Sequence, residues 1–309
     1  MILVPYKLDA DLRRVPFLTL LVIGLCIFTF VSQLQSQART SARMQAFCTT
    51  GLSMNQRAIV EHIDDERVEG SCESVFTAVR RSTDPDTALA TLAGESNLDL
   101  YGDPAQDELY RLTELQRAWL AFQQRVPEDL TERLEYRPGE LNIPRMLTST
   151  FAHGSPLHLI GNLFFFFAFA SCVECVLGPA HFMLCFLLMA IVSSLTFSSS
   201  AAGATGIPAI GLSGVCMGMM AMLTVLLPRA KMWCFFWFLI WVRRFALPVL
   251  LIAVWYIGWN VYDLRHDSGS DVNYAAHVGG AVAGIVLGTM YRMLAAKRVD
   301  AVAAVADLW

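Results

Sequence analysis

The sequence predicts an all-α, polytopic membrane protein: a bundle of six transmembrane helices carrying a large helical insertion outside the membrane. Three observations lead there. Of the 309 residues, 55% are apolar and only 16% charged, with a mean hydropathy of +0.47, an excess of the kind that collects into membrane spans. Charge is segregated, because residues 34–145 hold 19 of the 27 acidic side chains, 12 of the 23 basic ones and no Lys. The remainder is slightly basic although the whole chain carries −4, which leaves no surface suited to nucleic-acid phosphates. Finally, uncharged runs recur outside that stretch, and a helical span needs about 20 apolar residues.

Residues 1–14, with Lys7, Arg13 and Arg14, read as a cytoplasmic segment, and residues 15–33 as the first transmembrane helix. Ser36-Gln37-Ala38 loosely resembles a signal-peptide cleavage site. The apolar run from Val15 to Ala38, however, exceeds the ~7–15 residues of a signal h-region, so an anchored span is expected.

Residues 34–145 read as an acidic, extracytoplasmic insertion domain. Within Asp107 to Arg125, Leu109, Leu112, Leu115, Trp119 and Phe122 recur at three- and four-residue spacing, the pattern of an amphipathic helix. Cys48 and Cys72 lie here and are compatible with a disulfide in an oxidising compartment or with two free thiols. The other six cysteines sit in or beside apolar segments, and Cys172-x-x-Cys175 lacks the second Cys or His pair of a metal site.

Residues 146–295 supply spans two to six. Met146 to Val173 is the second. The run from Cys175 to Pro228 is long enough for two, broken by the turn-rich Ser198 to Pro208. Phe245 to Tyr262 and Val272 to Tyr291 follow as the fifth and sixth. Between them, Met232 to Val242 covers as a helix only about half the hydrocarbon core. Its Trp and Phe, flanked by Lys231, Arg243 and Arg244, suit the membrane interface. Residues 296–309 form a cytoplasmic tail. Lys and Arg at the short loops place both termini in the cytoplasm and residues 34–145 outside, and a bacterial cell inner membrane is the expected home.

Polar side chains inside spans are costly and mark function. The alternation of spans brings the second, fourth and sixth in from the same side, with His158 and Asn162, Ser213, and His277 near their respective starts. At ~1.5 Å per residue, all four lie at similar depth. Ser213 in Gly211-Leu212-Ser213-Gly214 reads either as helix packing with Gly218 or as a nucleophile beside a helix N-terminus that stabilises an oxyanion. His277 shares a helix face with Gly280, Gly284 and Gly288, so base and close contact coincide, and a Ser nucleophile needs such a base. His158 and Asn162, an i, i+4 pair, could satisfy each other or donate to an oxyanion. His153 reads as structural.

HGSPLHLIGNLFFF (His153 to Phe166), GLSG (Gly211 to Gly214) and AHVGGAVAG (Ala276 to Gly284), in this order on separate spans, resemble the rhomboid intramembrane serine proteases. The resemblance implies a six-helix rhomboid-like bundle that hydrolyses peptide bonds of membrane-anchored substrates near the extracytoplasmic membrane face by a Ser-His dyad, with transmembrane protein substrates and the lipid bilayer as partners and neither metal nor organic cofactor. It implies Ser213 as nucleophile, His277 as general base and then acid, and His158, Asn162 and the Ser213 amide as oxyanion donors, supported by Gly211, Gly214, Met217, Gly280 and Gly284. Glu174 matches a structural Glu of the family's second span, and Met232 to Val242 with the fifth span matches its region of lateral substrate access. Met217 stands where the family usually has an aromatic side chain, and the family's Trp-Arg pair in the first loop is not found. The competing readings are a catalytically inactive relative that binds transmembrane clients, against which the presence of both Ser213 and His277 speaks, and a transporter, for which no inverted repeat is seen.

Overall fold

In a computed structural model described over residues 2–8, 15–63, 71–138, 141–200, 208–238, 241–266 and 272–306, the chain divides into two compact units. The first comprises Met1–Val31 and Leu134–Trp309, the second Ser32–Arg133. In chain order the elements are β1 (Ile2–Leu8), α1 (Phe17–Ala46), α2 (Met54–Glu61), α3 (Cys72–Arg81), α4 (Pro85–Glu95), α5 (Pro104–Arg125), α6 (Leu130–Leu134), α7 (Ile143–Thr148), α8 (Pro156–Leu177), α9 (Pro179–Ser200), α10 (Ser213–Leu226), β2 (Lys231–Phe238), β3 (Trp241–Pro248), α11 (Val249–His266), α12 (Tyr274–Leu294) and α13 (Ala296–Ala306).

The first unit is the membrane unit. By length and composition α8, α9, α12 and Phe17–Gly51, which is α1 with the π-turn after it, can each cross a bilayer. The fourth and fifth expected spans correspond to α10 and α11. Helix α10 has 14 residues, about 21 Å at 1.5 Å each, which is short of the ~30 Å hydrocarbon core. Ten of its 14 residues are buried and none is exposed, so α10 is a central helix ringed by others rather than one that meets lipid along its length. Phe166, Phe169, Phe182, Phe186 and Met189 fill the core around it.

Backbone groups at helix ends need partners where water is scarce, and the sequence supplies several. Glu174 near the end of α8 accepts from Leu18 N–H (2.9 Å), Thr19 N–H (2.7 Å) and Thr19 Oγ1 (2.7 Å), so a buried carboxylate caps the start of α1. Arg292 on α12 donates to Val225 O at 2.7 Å, covering a carbonyl at the end of α10.

A small sheet departs from an otherwise helical plan. Strands β1, β2 and β3 pair antiparallel in that order, with Leu3 opposite Phe236 and Met232 opposite Leu247. The described part of the expected interfacial segment Met232 to Val242 therefore lies in the paired strands β2 and β3. Too short to span as a helix, its run of aromatic and branched residues suits a strand, and the chain's own N-terminal strand pairs with its edge. Arg13 and Arg14, named above in the N-terminal segment, lie outside the described residues, as do positions 201–207 of the turn-rich run.

The second unit has its own core. Phe76 stacks on Phe122 at 5.0 Å between centroids, and Phe47 meets both edge-on. Asp84 and Asp103 cap α4 and α5, each followed by Pro at the first helical position, where a missing N–H costs nothing. On α5 Leu115, Trp119 and Phe122 face the core, but Leu109 is exposed and Asp107, Arg111 and Glu114 are buried. Asp107 accepts from Leu100 and Tyr101 N–H and Arg111 donates to Leu98 O, so the chain leading into α5 folds over the side where an apolar stripe was expected. Cys48 and Cys72 form a disulfide across a separation of 24 residues.

Candidate active site

Helix α10 starts at Ser213 with Leu212 at the N-cap position and no side-chain cap. Its first intrahelical bond is from Cys216 N–H to Leu212 O, 2.9 Å, so the preceding amides project from the helix start beside the Ser213 side chain. The chain leading there is pinned. Ala209 exchanges two backbone bonds with Tyr136 (2.8 and 3.0 Å), the Tyr136 hydroxyl lies 2.5 Å from Ser198 Oγ, and Gly211 N–H donates to Ser149 O at 2.9 Å. Gly211 has φ +120°, and a Cβ there would stand 2.9 Å from His158 Nε2 and 3.9 Å from Asn162 Nδ2. Only glycine fits both that backbone and that approach.

Asn273 starts α12 by accepting from Ala276 N–H at 3.0 Å. One turn on, the buried His277 places Nε2 2.7 Å from Ser213 Oγ. Its Nδ1 lies 2.6 Å from Asn260 Oδ1 on α11, while Asn260 Nδ2 donates to Tyr256 O at 2.7 Å. Tyr274 stands perpendicular to the imidazole at 6.4 Å between centroids. Met217 is partly buried against the apolar core.

The two helices touch through backbone. A Cβ at Gly280 would lie 2.7 Å from the carbonyl carbon of Gly214, and one at Gly218 would lie 2.9 Å from Gly280 O. Ser193 on α9 adds a hydrogen bond to Ala276 O at 2.6 Å, clasping the start of α12.

On α8, Ser155 caps the helix by accepting from His158 N–H. Asn162 Nδ2 donates to His158 O at 2.9 Å, and the imidazole of His158 lies edge-on to that of His153 at 5.2 Å. His153 is itself buried, with Nδ1 3.2 Å from Phe151 O. Next to Ser213 a cavity of about 40 Å³ is lined by Ser149, Thr150, Ser193, Ser194 and Asn273 together with apolar groups such as Ala190, Ile210 and Val215, and it is roomy enough for two or three waters at ~15 Å³ each. Among the described residues no cluster of His, Cys, Asp and Glu is arranged to hold a metal ion.

The structure thus joins Ser213 to His277 directly and sets His158 and Asn162 against Gly211, two residues before Ser213. Two participants were missed in the sequence. Asn260 interrupts the apolar run Phe245 to Tyr262, and the rule that singled out Asn162 would have found it. Ser193 gave no signal, since a lone Ser within a span is common.

A rhomboid domain model matches residues 141–294. The presenilin-associated rhomboid-like protein A, mitochondrial, of Danio rerio is 31% identical over 151 residues, covering 45% of this chain and 35% of the relative. The human presenilin-associated rhomboid-like protein, mitochondrial, is 29% identical over 146 residues, 45% and 36% of the two chains. Rhomboid protein 1, mitochondrial, of Saccharomyces cerevisiae is 26% identical over 187 residues, 58% and 49%. The matched region spans about a third of the length of the first two relatives. These mitochondrial relatives correct the expectation of a bacterial cell inner membrane with cytoplasmic termini and an extracytoplasmic segment 34–145. Short-loop charge reports which side a loop occupies and not which membrane holds it, so multi-pass embedding stands while the bacterial compartment does not.

Proposed function

Because residues 141–294 place this chain in the rhomboid family, whose members are in general intramembrane serine proteases, we propose that it is an intramembrane serine endopeptidase hydrolysing membrane-anchored protein substrates, with residues 146–295 as its catalytic core. The observation that carries this reading is the 2.7 Å contact between Ser213 Oγ and His277 Nε2, within reach for proton transfer. His277 takes the Ser213 proton as the oxygen attacks the scissile carbonyl, then passes it to the leaving amine, and water completes hydrolysis of the acyl-enzyme by the same route. The amides at the uncapped start of α10 lie beside the attacking oxygen, and His158 and Asn162 are the side-chain donors to the developing oxyanion. The cavity next to Ser213, with the hydroxyls of Ser149, Thr150 and Ser193 in its wall, can hold the hydrolytic water.

A fluorophosphonate should label the purified full chain covalently, and Ser213→Ala should abolish both labelling and cleavage of a single-pass membrane substrate. Persistent labelling or cleavage by that variant rejects the dyad. His158→Ala and Asn162→Ala should each lose about 10²–10³-fold in kcat, the usual effect of removing one oxyanion donor. No observation favours an inactive client-binding relative, since the two reacting groups are already hydrogen-bonded.

A further inference from the structure

We propose that Asn260 is the positioning residue of His277, turning the Ser213–His277 pair into a Ser–His–Asn relay in which the Asn260 side chain selects the imidazole tautomer. The proposal rests on the reading of Ser213 and His277 as the reacting pair. Asn260 is buried on α11, a helix that contributes no other group to that pair. Its amide orientation follows from its two partners. Tyr256 O is an acceptor, so the group 2.7 Å from it must be Nδ2, which leaves Oδ1 facing His277 Nδ1 at 2.6 Å. The reverse orientation would set two carbonyl oxygens against each other. An oxygen at 2.6 Å accepts a hydrogen bond, so Nδ1 carries the proton and Nε2 presents its lone pair to Ser213 Oγ at 2.7 Å. That is the tautomer a general base requires.

The proton balance is simple. The Ser213 proton moves to Nε2 and then to the leaving amine, while the Nδ1 proton stays in place, donated throughout to Asn260 Oδ1. When the ring becomes an imidazolium, that bond becomes charge-assisted and stronger, so it favours the transition state over the ground state. A neutral amide does this without leaving a permanent charge in the membrane interior, where a carboxylate would be costly.

The test uses the full chain in detergent, with fluorophosphonate labelling rates and substrate kcat and KM measured from pH 5 to 9. Asn260→Leu should lower kcat and the labelling rate about 10- to 100-fold with KM within about twofold. Asn260→Asp should move the acid limb upward by about one pH unit or more, because a carboxylate beside an imidazole favours its charged form. Among the described residues, His158 on α8 and Tyr274 on α12 lie near His277, and the buried Asp263 lies about one turn beyond Asn260 on α11; none is altered by these variants. A merely structural Asn260 would change the amount of active protein and leave the acid limb where it was. If Asn260→Leu fails to fold, the limb of Asn260→Asp decides alone: movement supports the relay and a fixed limb overturns it. Wild-type rates and an unmoved limb in both variants, with Ser213→Ala inactive, reject the relay and leave the dyad intact. Activity in Ser213→Ala rejects the dyad on which it rests.

Discussion

The geometry of the pair depends on how closely α10 and α12 approach, which makes Gly280→Ala an instructive perturbation. The new Cβ would start in steric overlap with the Gly214 carbonyl oxygen and 2.7 Å from its carbonyl carbon, whereas carbon atoms at contact prefer about 3.5–4.0 Å. Helix α12 must therefore retreat from α10 by about 1 Å at this crossing. His277 lies three residues before Gly280 and Ser213 directly precedes Gly214, so most of the retreat falls on the reacting atoms. Their 2.7 Å separation opens to about 3.7 Å, beyond hydrogen bonding, and a misplacement of about 1 Å can cost 10²-fold in rate. Overpacking against backbone costs ~1–3 kcal/mol and is only partly offset by the ~1 kcal/mol by which Ala favours a helix over Gly, so stability falls by up to about 2 kcal/mol. Labelling rates should thus fall about 100-fold in a variant that remains folded by circular dichroism. Gly258→Ala on α11 is the control, because nothing lies within 4 Å of a Cβ there, and it should label at the wild-type rate. Wild-type labelling by Gly280→Ala would show that the crossing does not set the distance between Ser213 and His277.

Three further outcomes follow from contacts away from that crossing. Glu174→Ala leaves Leu18 N–H, Thr19 N–H and the Thr19 hydroxyl without their acceptor and should destabilise the membrane unit by about 2–3 kcal/mol, read as an earlier unfolding midpoint in a denaturing-detergent titration. Removing the Cys48–Cys72 bridge by a double Ser substitution releases a loop of about 25 residues and should weaken the second unit by roughly 3 kcal/mol, while fluorophosphonate labelling at Ser213 is retained. The Asp84 carboxyl, held below its ordinary range by hydrogen bonds from the Thr87 hydroxyl and amide, stabilises α4 above its unfolded pKa and loses that effect as pH falls through its lower folded pKa. Amide exchange at the start of α4 should therefore accelerate in that acid window, and Asp84→Asn should flatten the pH dependence.

Much of the fold was legible because membranes impose simple rules. Runs without charge marked the apolar helices, four of which among the described residues are long and apolar enough to cross a membrane, and the Ser, His and Asn side chains inside such runs stood out as anomalies. Helix length was less legible: the run from Cys175 to Pro228 shows only that two helices fit, and nothing in it signals that α10 stops at 14 residues. The sheet was hidden for a different reason, since β1 pairs with β2 across more than 220 residues and no local pattern announces a distant partner. On α5 the apolar periodicity was genuine but its phase was off at Leu109, because the buried Asp107 and Arg111 take their partners from the preceding loop. Asn260 was overlooked because it lies on a span that carries none of the recognisable motifs. A polar residue in an apolar run signals a partner and does not say which one.

The treatment of helix ends connects the fold to the chemistry. Helix α1 has its first amides taken by Glu174, α8 by Ser155 and α12 by Asn273, so three of the apolar helices begin with their donors satisfied by side chains. Helix α10 begins without a side-chain cap, although its opposite end is covered by Arg292. In an apolar surrounding, uncapped amides carry a standing cost of desolvation, and the partial positive charge of a helix start adds to it. Both are relieved when negative charge develops on an acyl oxygen beside Ser213, so the stabilisation is greater for the transition state than for the free enzyme, which is the condition for catalysis. Gly211 completes the arrangement by letting His158 and Asn162 close on the same point without a side chain between them. A cap cannot be added here without cost, because Leu212 at the N-cap position is fully buried in the apolar core and its backbone is αR rather than extended, so Leu212→Asp should destabilise the membrane unit by about 2–5 kcal/mol. Its unfolding midpoint and its kcat should fall together, and a variant that kept wild-type stability and rate would show that the start of α10 neither needs an apolar residue at this position nor leaves its amides free for the reaction.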